Sequence, residues 1–343
     1  LWVKGEYHDD FADVRKASRR ALSRESQPHL FDRVDWVEKL YTHCLSGYPP
    51  LYVRARAERS EAWLFLYHRR PGEYHALANW YNFSFRPIFS GHPDEKTRLA
   101  LLKAMARRLR SRAAHIVLRP VPDEDALLPI LGRAFRSAGW AVFVQPVDCN
   151  RFLDLGERDF DQYWYGRPGA LRSTVDRKAA KFPVDIEIAT HFRPDLWAEY
   201  EDVYENSWKP EEGSLPFLRA LAEQEGKAGN LRIGIARSDG RAVAAQFWTV
   251  ENGVALIHKL AHREDAAAGS PGTLLSHAMF RHAIDIDKVA RIDFGTGDDA
   301  YKNDWMEDER PLYQIDLYNL RRPASWIPAL KSYISALVRS TKT

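Results

Sequence analysis

Two turns that end in glycine, Ser238-Asp239-Gly240 and Glu251-Asn252-Gly253, cut residues 231–262 into three strand-like runs. Glycine after Asp or Asn supplies the positive φ that tight hairpin loops need, so this spacing predicts three consecutive antiparallel strands. The third, Val254–His262, runs into a loop of small residues, Ala-Ala-Ala-Gly-Ser-Pro-Gly over 266–272. Ser270 suits an N-cap there and Pro271 the first helical position, so the loop opens a helix over SPGTLLSHAMFRHAIDID. A helix start without bulky side chains exposes backbone N–H groups at the positive end of the dipole, which suits phosphate. Gly269 and Gly272 leave room for a pyrophosphate close to the backbone. Taken alone, the same pattern also describes an ordinary tight strand-to-helix connection.

The strands RIDFGTG and LYQIDLYNL and an amphipathic helix, PASWIPALKSYISALVRS, follow; the strand VDIEIAT and two helices precede. Residues 30–147 read as a comparable series. A helix over 30–47 carries Phe31, Val34, Trp36, Val37, Leu40 and Tyr41 at helical spacing. Three strand-like runs come next, then a helix over 94–112 with acidic residues first and basic residues last, then strand, helix and strand. The expected class is α/β, a mixed sheet of the α+β type in each of two lobes. The expected boundaries are 1–150 for an N-terminal lobe, 151–183 for a connecting segment, and 184–343 for a C-terminal lobe. The connecting segment carries a basic helix with Arg172, Arg177, Lys178 and Lys181.

A length of 343 residues suits two compact domains or one large one, and 45% hydrophobic with 28% charged residues is the balance of a soluble globular chain. A net charge of +3 gives no ground for a DNA partner. Cys44 and Cys149 are too few and too isolated for a disulfide framework or a metal site. No run approaches the ~18 apolar residues of a membrane span, so a cytoplasmic location is expected.

The stretch from LRIGIARSDGRAVAAQFW through GVALIHKLAHREDAAAGSPGTLLSHAMFRHAID to RIDFGTGDDAYKNDW resembles the GNAT superfamily of acyl-CoA N-acyltransferases. It looks most like the two-lobed CelD/BcsL-like branch, which is related to the FemAB peptidyl transferases. The residues that carry the likeness are Asp239-Gly240-Arg241-Ala242-Val243-Ala244, Ser270-Pro271-Gly272, Phe294-Gly295-Thr296-Gly297, Tyr301-Lys302 and Trp305. The helix around Trp36 and the stretch Glu205–Trp208 fit more loosely. The likeness is dense after about residue 230 and thin before 150. One departure matters: the superfamily's pyrophosphate motif is Q/R-x-x-G-x-G/A, and the loop here is only an analogue of it.

The resemblance implies tandem GNAT-like lobes, each a mixed, largely antiparallel sheet flanked by helices. It implies transfer of an acyl group from a thioester to a primary amine, which must lose a proton to attack. Acyl-CoA, acetyl or longer, is the implied donor, held by Leu260, Ala261 and His262 on the strand and by Gly269, Ser270, Gly272 and Thr273 on the loop. His258, Asp293, Tyr301 and Lys302 are the catalytic candidates. His258 sits mid-strand as a base, although a half-buried, hydrogen-bonded histidine is the commoner outcome. Asp293 suits a base or an amine-binding carboxylate, or a structural hydrogen bond. Tyr301 is placed to protonate the leaving thiolate, and Lys302 to bind phosphate or a carboxylate. Gln246, Trp248 and Trp305 are the candidates to contact substrate, with core packing as the other reading of each.

His258 and His262 are expected on one face of the strand, roughly 13 Å apart, too far to share a metal. His277 and His282 face different directions, and no metal is expected. The acceptor class is a small-molecule, saccharide or peptide amine, and an acyl carrier protein is a further donor partner. The basic helix suits the donor's terminal phosphate or an acidic carrier, or is only a solvated face. The N-terminal lobe, whose counterpart region FRPIFSGHPDEKT lacks the glycine-rich turn, is expected to be non-catalytic. Two other classes stay open: FemAB-like transfer from aminoacyl-tRNA, and a non-catalytic binding protein. The last helix, with Trp326, Ile327, Leu330, Tyr333, Ile334, Leu337 and Val338 on one face, is expected to dock on the second lobe. Dimer contact or attachment to an anionic membrane surface is the other reading.

Overall fold

A computed structural model describes residues 2–340, with side chains through Ala336. In chain order the elements are β1 (Lys4–His8), α1 (Phe11–Ser18), α2 (Val34–Leu40), β2 (Pro50–Arg56), β3 (Glu61–Arg70), β4 (Glu73–Ala76), β5 (Ile88–Ser90), α3 (Glu95–Leu109), β6 (His115–Pro122), α4 (Leu127–Ser137) and β7 (Trp140–Asp154). They continue with α5 (Phe160–Tyr165), α6 (Gly169–Lys181), β8 (Asp185–Ala189), α7 (Pro194–Glu205), α8 (Leu215–Lys227), β9 (Leu231–Ser238), β10 (Arg241–Glu251), β11 (Val254–His262), α9 (Pro271–Arg281), β12 (Arg291–Thr296), β13 (Asp308–Asn319) and α10 (Trp326–Ser340). The chain divides into two compact units, residues up to Asp148 with those from Pro311 on, and Cys149–Arg310. The boundaries therefore fall inside β7 and β13, and the C-terminal strand and helix belong to the first unit. The sequence reading had placed both in the second.

In the first unit the strand order is β1-β2-β3-β4-β6-β13-β7, with β5 on β3; β4·β6 is parallel, and β1·β2, β2·β3, β3·β4, β3·β5 and β6·β13 are antiparallel. Asp94 caps α3 by accepting from the Thr97 N–H at 2.8 Å, and Arg107 and Arg108 close its last turn. Its apolar stripe of Leu101, Leu102 and Met105 packs with Leu131 and Phe135 of α4 against Ile116 of β6. The apolar face of α10 stays largely in solvent, where it had been expected to dock on the second lobe. Ile327 is 69% exposed and Leu330 58%, while Ala329 on the helix's inner side is buried. The side chains of Leu337 and Val338 lie outside the described residues.

In the second unit the order is β7-β12-β11-β10-β9-β8, antiparallel except for β11·β12. The predicted hairpins are present, and Asp239, Gly240, Asn252 and Gly253 all take positive φ. One face of the sheet carries α9, with Leu275, Met279 and Phe280 packed on Trp248, Ile257 and Ile292. Gly234 makes that approach possible, because a Cβ there would stand 2.5 Å from the Met279 sulfur. On the other face α7 sets Trp197 edge-on to Phe247 at 5.6 Å. Residues 160–171 are core rather than connector: Phe160, Tyr163 and Leu171 belong to the same buried cluster as α9. The turn at Gly166–Pro168 looked like a linker because it separates two short helices, α5 and α6.

Candidate active site

The site is organised by an irregularity in β11. Trp248 of β10 pairs with Ile257, and Phe247 pairs with Lys259, so His258 is an extra residue in the ladder. A bulge of this kind changes which side chains share a face. Ile257 and Leu260, three apart, both pack on the α9 side. His258 lies on the opposite side, stacked on Phe247 at 5.1 Å and sharing a 2.8 Å hydrogen bond with Thr249 Oγ1. His262 returns to the α9 side, where a Cβ on Gly272 would sit 3.1 Å from its Nδ1. The two histidines therefore occupy opposite faces, contrary to the sequence expectation, because strict alternation cannot anticipate the bulge.

The bulge coincides with a parting of strands. The β11·β12 ladder covers three pairs, Val254↔Arg291 to Leu256↔Asp293, and ends there although β11 runs on to His262. Beyond Leu256, β11 keeps its ladder with β10. The diverging half of β11 leads directly into a short helical turn, Glu264–Gly269, and then into α9.

At the start of α9, Ser270 holds the N-cap position with φ 51° and ψ 44°, but its hydroxyl makes no capping bond. The Thr273 and Leu274 N–H groups are taken up by the Ser270 carbonyl. Pro271 has no N–H, which leaves the Gly272 N–H and the Ser270 hydroxyl for a ligand among the described residues. The loop is pinned from outside. Lys178 of α6 donates to the Ala268 carbonyl, Arg241 pairs with Asp265 at 2.8 Å, and Arg263 pairs with Asp202 at 2.7 Å. A cavity of about 460 Å³ adjoins it, lined in part by Phe182, Arg241, Val243, Gly269 and Pro271. Small residues, free polar donors and nearby cations fit a phosphate group.

At the same end of the diverging segment, the Trp208 ring lies tilted against His262 with ring centroids 4.1 Å apart. Lys209 follows it. Burial, aided by the charges of Lys259 and Lys302, pushes the Lys209 ammonium down to about 8. Lys259 is paired with Glu212 at 2.9 Å. Tyr301 packs edge-on to Phe294 at 5.7 Å and stays 41% exposed. Burial first, and then Asp299, raises its hydroxyl, so Tyr301 keeps its proton at neutral pH. The sequence singles out His262, Tyr301 and Lys302 as site candidates and fits Glu205–Trp208 more loosely. Lys209 gave no signal of its own, because its burial comes from tertiary packing.

Several expected site residues are committed elsewhere. Lys302 is buried, and its ammonium donates to the Thr296 carbonyl at 2.5 Å and lies 3.4 Å from Asp299. It ties down the loop after β12 instead of meeting a phosphate, as a buried ammonium must be bonded internally. Asp293 accepts from Asn150 Nδ2 at 2.6 Å and from the Gly295 N–H at 2.8 Å, with Arg310 at 3.4 Å. Burial raises its pKa against the pull of Arg310 and Asn150. Gln246 donates to Ser276 Oγ at 2.7 Å and accepts from Trp248 Nε1 at 2.9 Å, and both residues are buried. Trp305 packs on Phe280 at 4.8 Å. None of these three presents a surface to a substrate. Leu260 and Ala261 stand on the diverging segment, Leu260 against the core and Ala261 buried.

His258 makes a testable case. Burial first, opposed by Glu225 and aided by Lys259, lowers its pKa from 6.5 to about 3. A folded-state value below the unfolded one gives stability that is fully present above pH 6.5 and lost as pH falls toward 3. The melting temperature should therefore drop across that window, and His258→Gln should drop less while keeping turnover. Parallel melting profiles for the two proteins would remove His258 from the acid response.

Residues 165–303 match the family model described as an acetyltransferase (GNAT) domain. No curated protein matches the sequence. Among solved structures, FemX is similar over 92% of this chain and 98% of its own, with TM-score 0.61 and 10% identity. A C-terminal DUF2156 domain from Agrobacterium fabrum is similar over 95% and 96%, with TM-score 0.55 and 14% identity. L-PGS from Bacillus licheniformis is similar over 89% and 95%, with TM-score 0.54 and 14% identity. At these identities the likeness is one of fold.

Proposed function

We propose that the chain, which matches an acetyltransferase (GNAT) domain over residues 165–303 and shares a fold with FemX, is an N-acyltransferase whose unit Cys149–Arg310 moves an acyl group from acyl-CoA to a primary amine. The observation that carries this reading is the sequence of events along one strand. β11 leaves β12 after Leu256, bulges at His258, and delivers the chain to the free donors at Ser270 and Gly272. Phosphate would be held by the Gly272 N–H and the Ser270 hydroxyl, beside Gly269 and Thr273. The donor supplies a thioester carbonyl, and backbone donors of the diverging segment polarise it.

The remaining chemistry is proton traffic. The acceptor nitrogen forms the new C–N bond as the C–S bond breaks, so one proton must leave nitrogen and one must reach sulfur. Lys209, with its value near 8, is about one-tenth neutral at pH 7 and can take the first. Tyr301, which keeps its proton, gives the second. Asp293 and Lys302 act on the scaffold. Trp208 and His262 form one wall of the acceptor site. An amino sugar, an amino acid or a peptide amine all suit it. The unit that holds β1–β6 is proposed to be non-catalytic.

Turnover by Tyr301→Phe should fall by roughly 100-fold, the low end of general acid–base effects. In kcat/KM, wild type should climb with a midpoint near pH 8 to a plateau above it, and Lys209→Met should lose that limb. A flat wild-type profile would remove Lys209 from the mechanism. A second reading, with an aminoacyl group carried on tRNA or an acyl carrier protein as donor, is favoured by one observation. The loop A-A-A-G-S-P-G departs from the usual pyrophosphate signature. Calorimetry with CoA, acetyl-CoA and a long-chain acyl-CoA separates the two. Saturable binding supports acyl-CoA, whereas no binding of any of the three, with transfer from aminoacyl-tRNA, would overturn it.

A further inference from the structure

The first unit carries a surface that the acyl-transfer reading does not use. On α10, Trp326, Ile327, Leu330, Tyr333 and Ile334 recur at helical spacing and are each more than half exposed, from 51% to 69%. The helix is held to the body by its other side. Ala329 is buried, and the Ser332 and Tyr318 hydroxyls share a 3.0 Å hydrogen bond. Its start is fastened to the end of α3: Asn319 donates to the Arg110 and Ala113 carbonyls at 3.0 and 2.9 Å, and Ser325 donates to the Ala114 carbonyl at 2.7 Å. The helix start therefore adjoins the end of α3, where Arg107 and Arg110 stand close to Arg321, and α10 itself carries Lys331.

The charge on this surface is one-sided. None of Arg107, Arg110, Arg321 and Lys331 has a carboxylate within ion-pair distance among the described residues. After Asp316 the sequence carries no acidic side chain at all, against Arg321, Arg322, Lys331, Arg339 and Lys342. An apolar helix face beside uncompensated cations has two requirements at once, apolar cover and negative charge. Among the described residues no helix is long and apolar enough to cross a membrane, but lying in an interface needs only one apolar face.

We propose that α10 and the adjoining arginines dock the protein on an anionic bilayer surface, with Trp326, Ile327, Leu330 and Ile334 entering the headgroup boundary. Both requirements are then met by one occupant: acyl chains cover the face, and acidic headgroups neutralise the cations. Docking is peripheral and reversible, and it weakens as salt screens the cations.

The test is co-sedimentation of the full chain with phosphatidylcholine vesicles, with and without phosphatidylglycerol, at low and high salt. Binding is expected only with phosphatidylglycerol and should decline with salt. Ile327→Ser with Ile334→Ser should weaken it by at least ~10-fold. Arg321→Gln and Lys331→Gln should cost roughly five-fold each. All four side chains are exposed, so unchanged melting temperatures will show that the variants remain folded. Equal binding to both vesicle types, or binding that survives the isoleucine substitutions, would overturn the proposal. So would self-association abolished by those substitutions in a chain that ignores vesicles, which would assign the face to a second copy.

Discussion

Gly272→Glu is expected to weaken acetyl-CoA binding by on the order of 100-fold, the equivalent of losing one charge-assisted hydrogen bond. The substitution puts a carboxylate at the first turn of α9, where the site offers its remaining donors to an anion. A Cβ at this position also meets His262 Nδ1 at 3.1 Å, so the imidazole must yield by a few tenths of an ångström. Gly272→Ala separates the two effects, because it brings the same steric contact without the charge. It should retain binding to within a few-fold. Gly47→Glu in the first unit is the control: a Cβ there meets nothing within 4 Å. Equal loss in Gly272→Ala and Gly272→Glu would trace the defect to His262 packing. Full binding by Gly272→Glu would remove the loop from the donor site.

Asp293→Ala should cost about 3–5 kcal/mol of stability, the usual result of stripping one partner from a buried charged network. The carboxylate collects Asn150, the Gly295 N–H and Arg310, and Arg310 Nε also donates to Asn150 Oδ1 at 2.7 Å. Its removal takes one partner each from the Arg310 guanidinium and the Asn150 amide. Asp293→Asn, which keeps the volume, should lose less. Denaturant unfolding of the Cys149–Arg310 transition in the full chain measures both. Wild-type stability in Asp293→Ala together with lost turnover would instead return Asp293 to the role of a base.

Much of the second unit could be read from the sequence because its signals are local. Asn252-Gly253 and Asp239-Gly240 set the hairpins, and Ser270-Pro271-Gly272 sets the start of α9 through backbone geometry alone. The candidate side chains were harder, since their fates depend on partners far along the chain. Lys302 stands in a conspicuous motif but spends its charge on the Thr296 carbonyl. Gln246 looked available on an alternating strand, yet it is satisfied by Ser276, thirty residues away. The bulge at His258 arises from pairing with β10 and reverses the faces of every later residue on β11. Lys209 acquires its low value from burial, aided by Lys259 and Lys302, and no spacing in the sequence could bring those three together. The placement of α10 was missed for a related reason: an apolar stripe signals that something must cover it, and not what.

The most direct test of the acyl-transfer account is amide hydrogen exchange of the full chain with and without saturating acetyl-CoA. The account predicts slowed exchange over Ile257–His262 and at the start of α9, residues 270–275, with no change over 88–100 in the first unit. Protection confined to the first unit, or none anywhere at saturation, would contradict the assignment of the donor site to Cys149–Arg310.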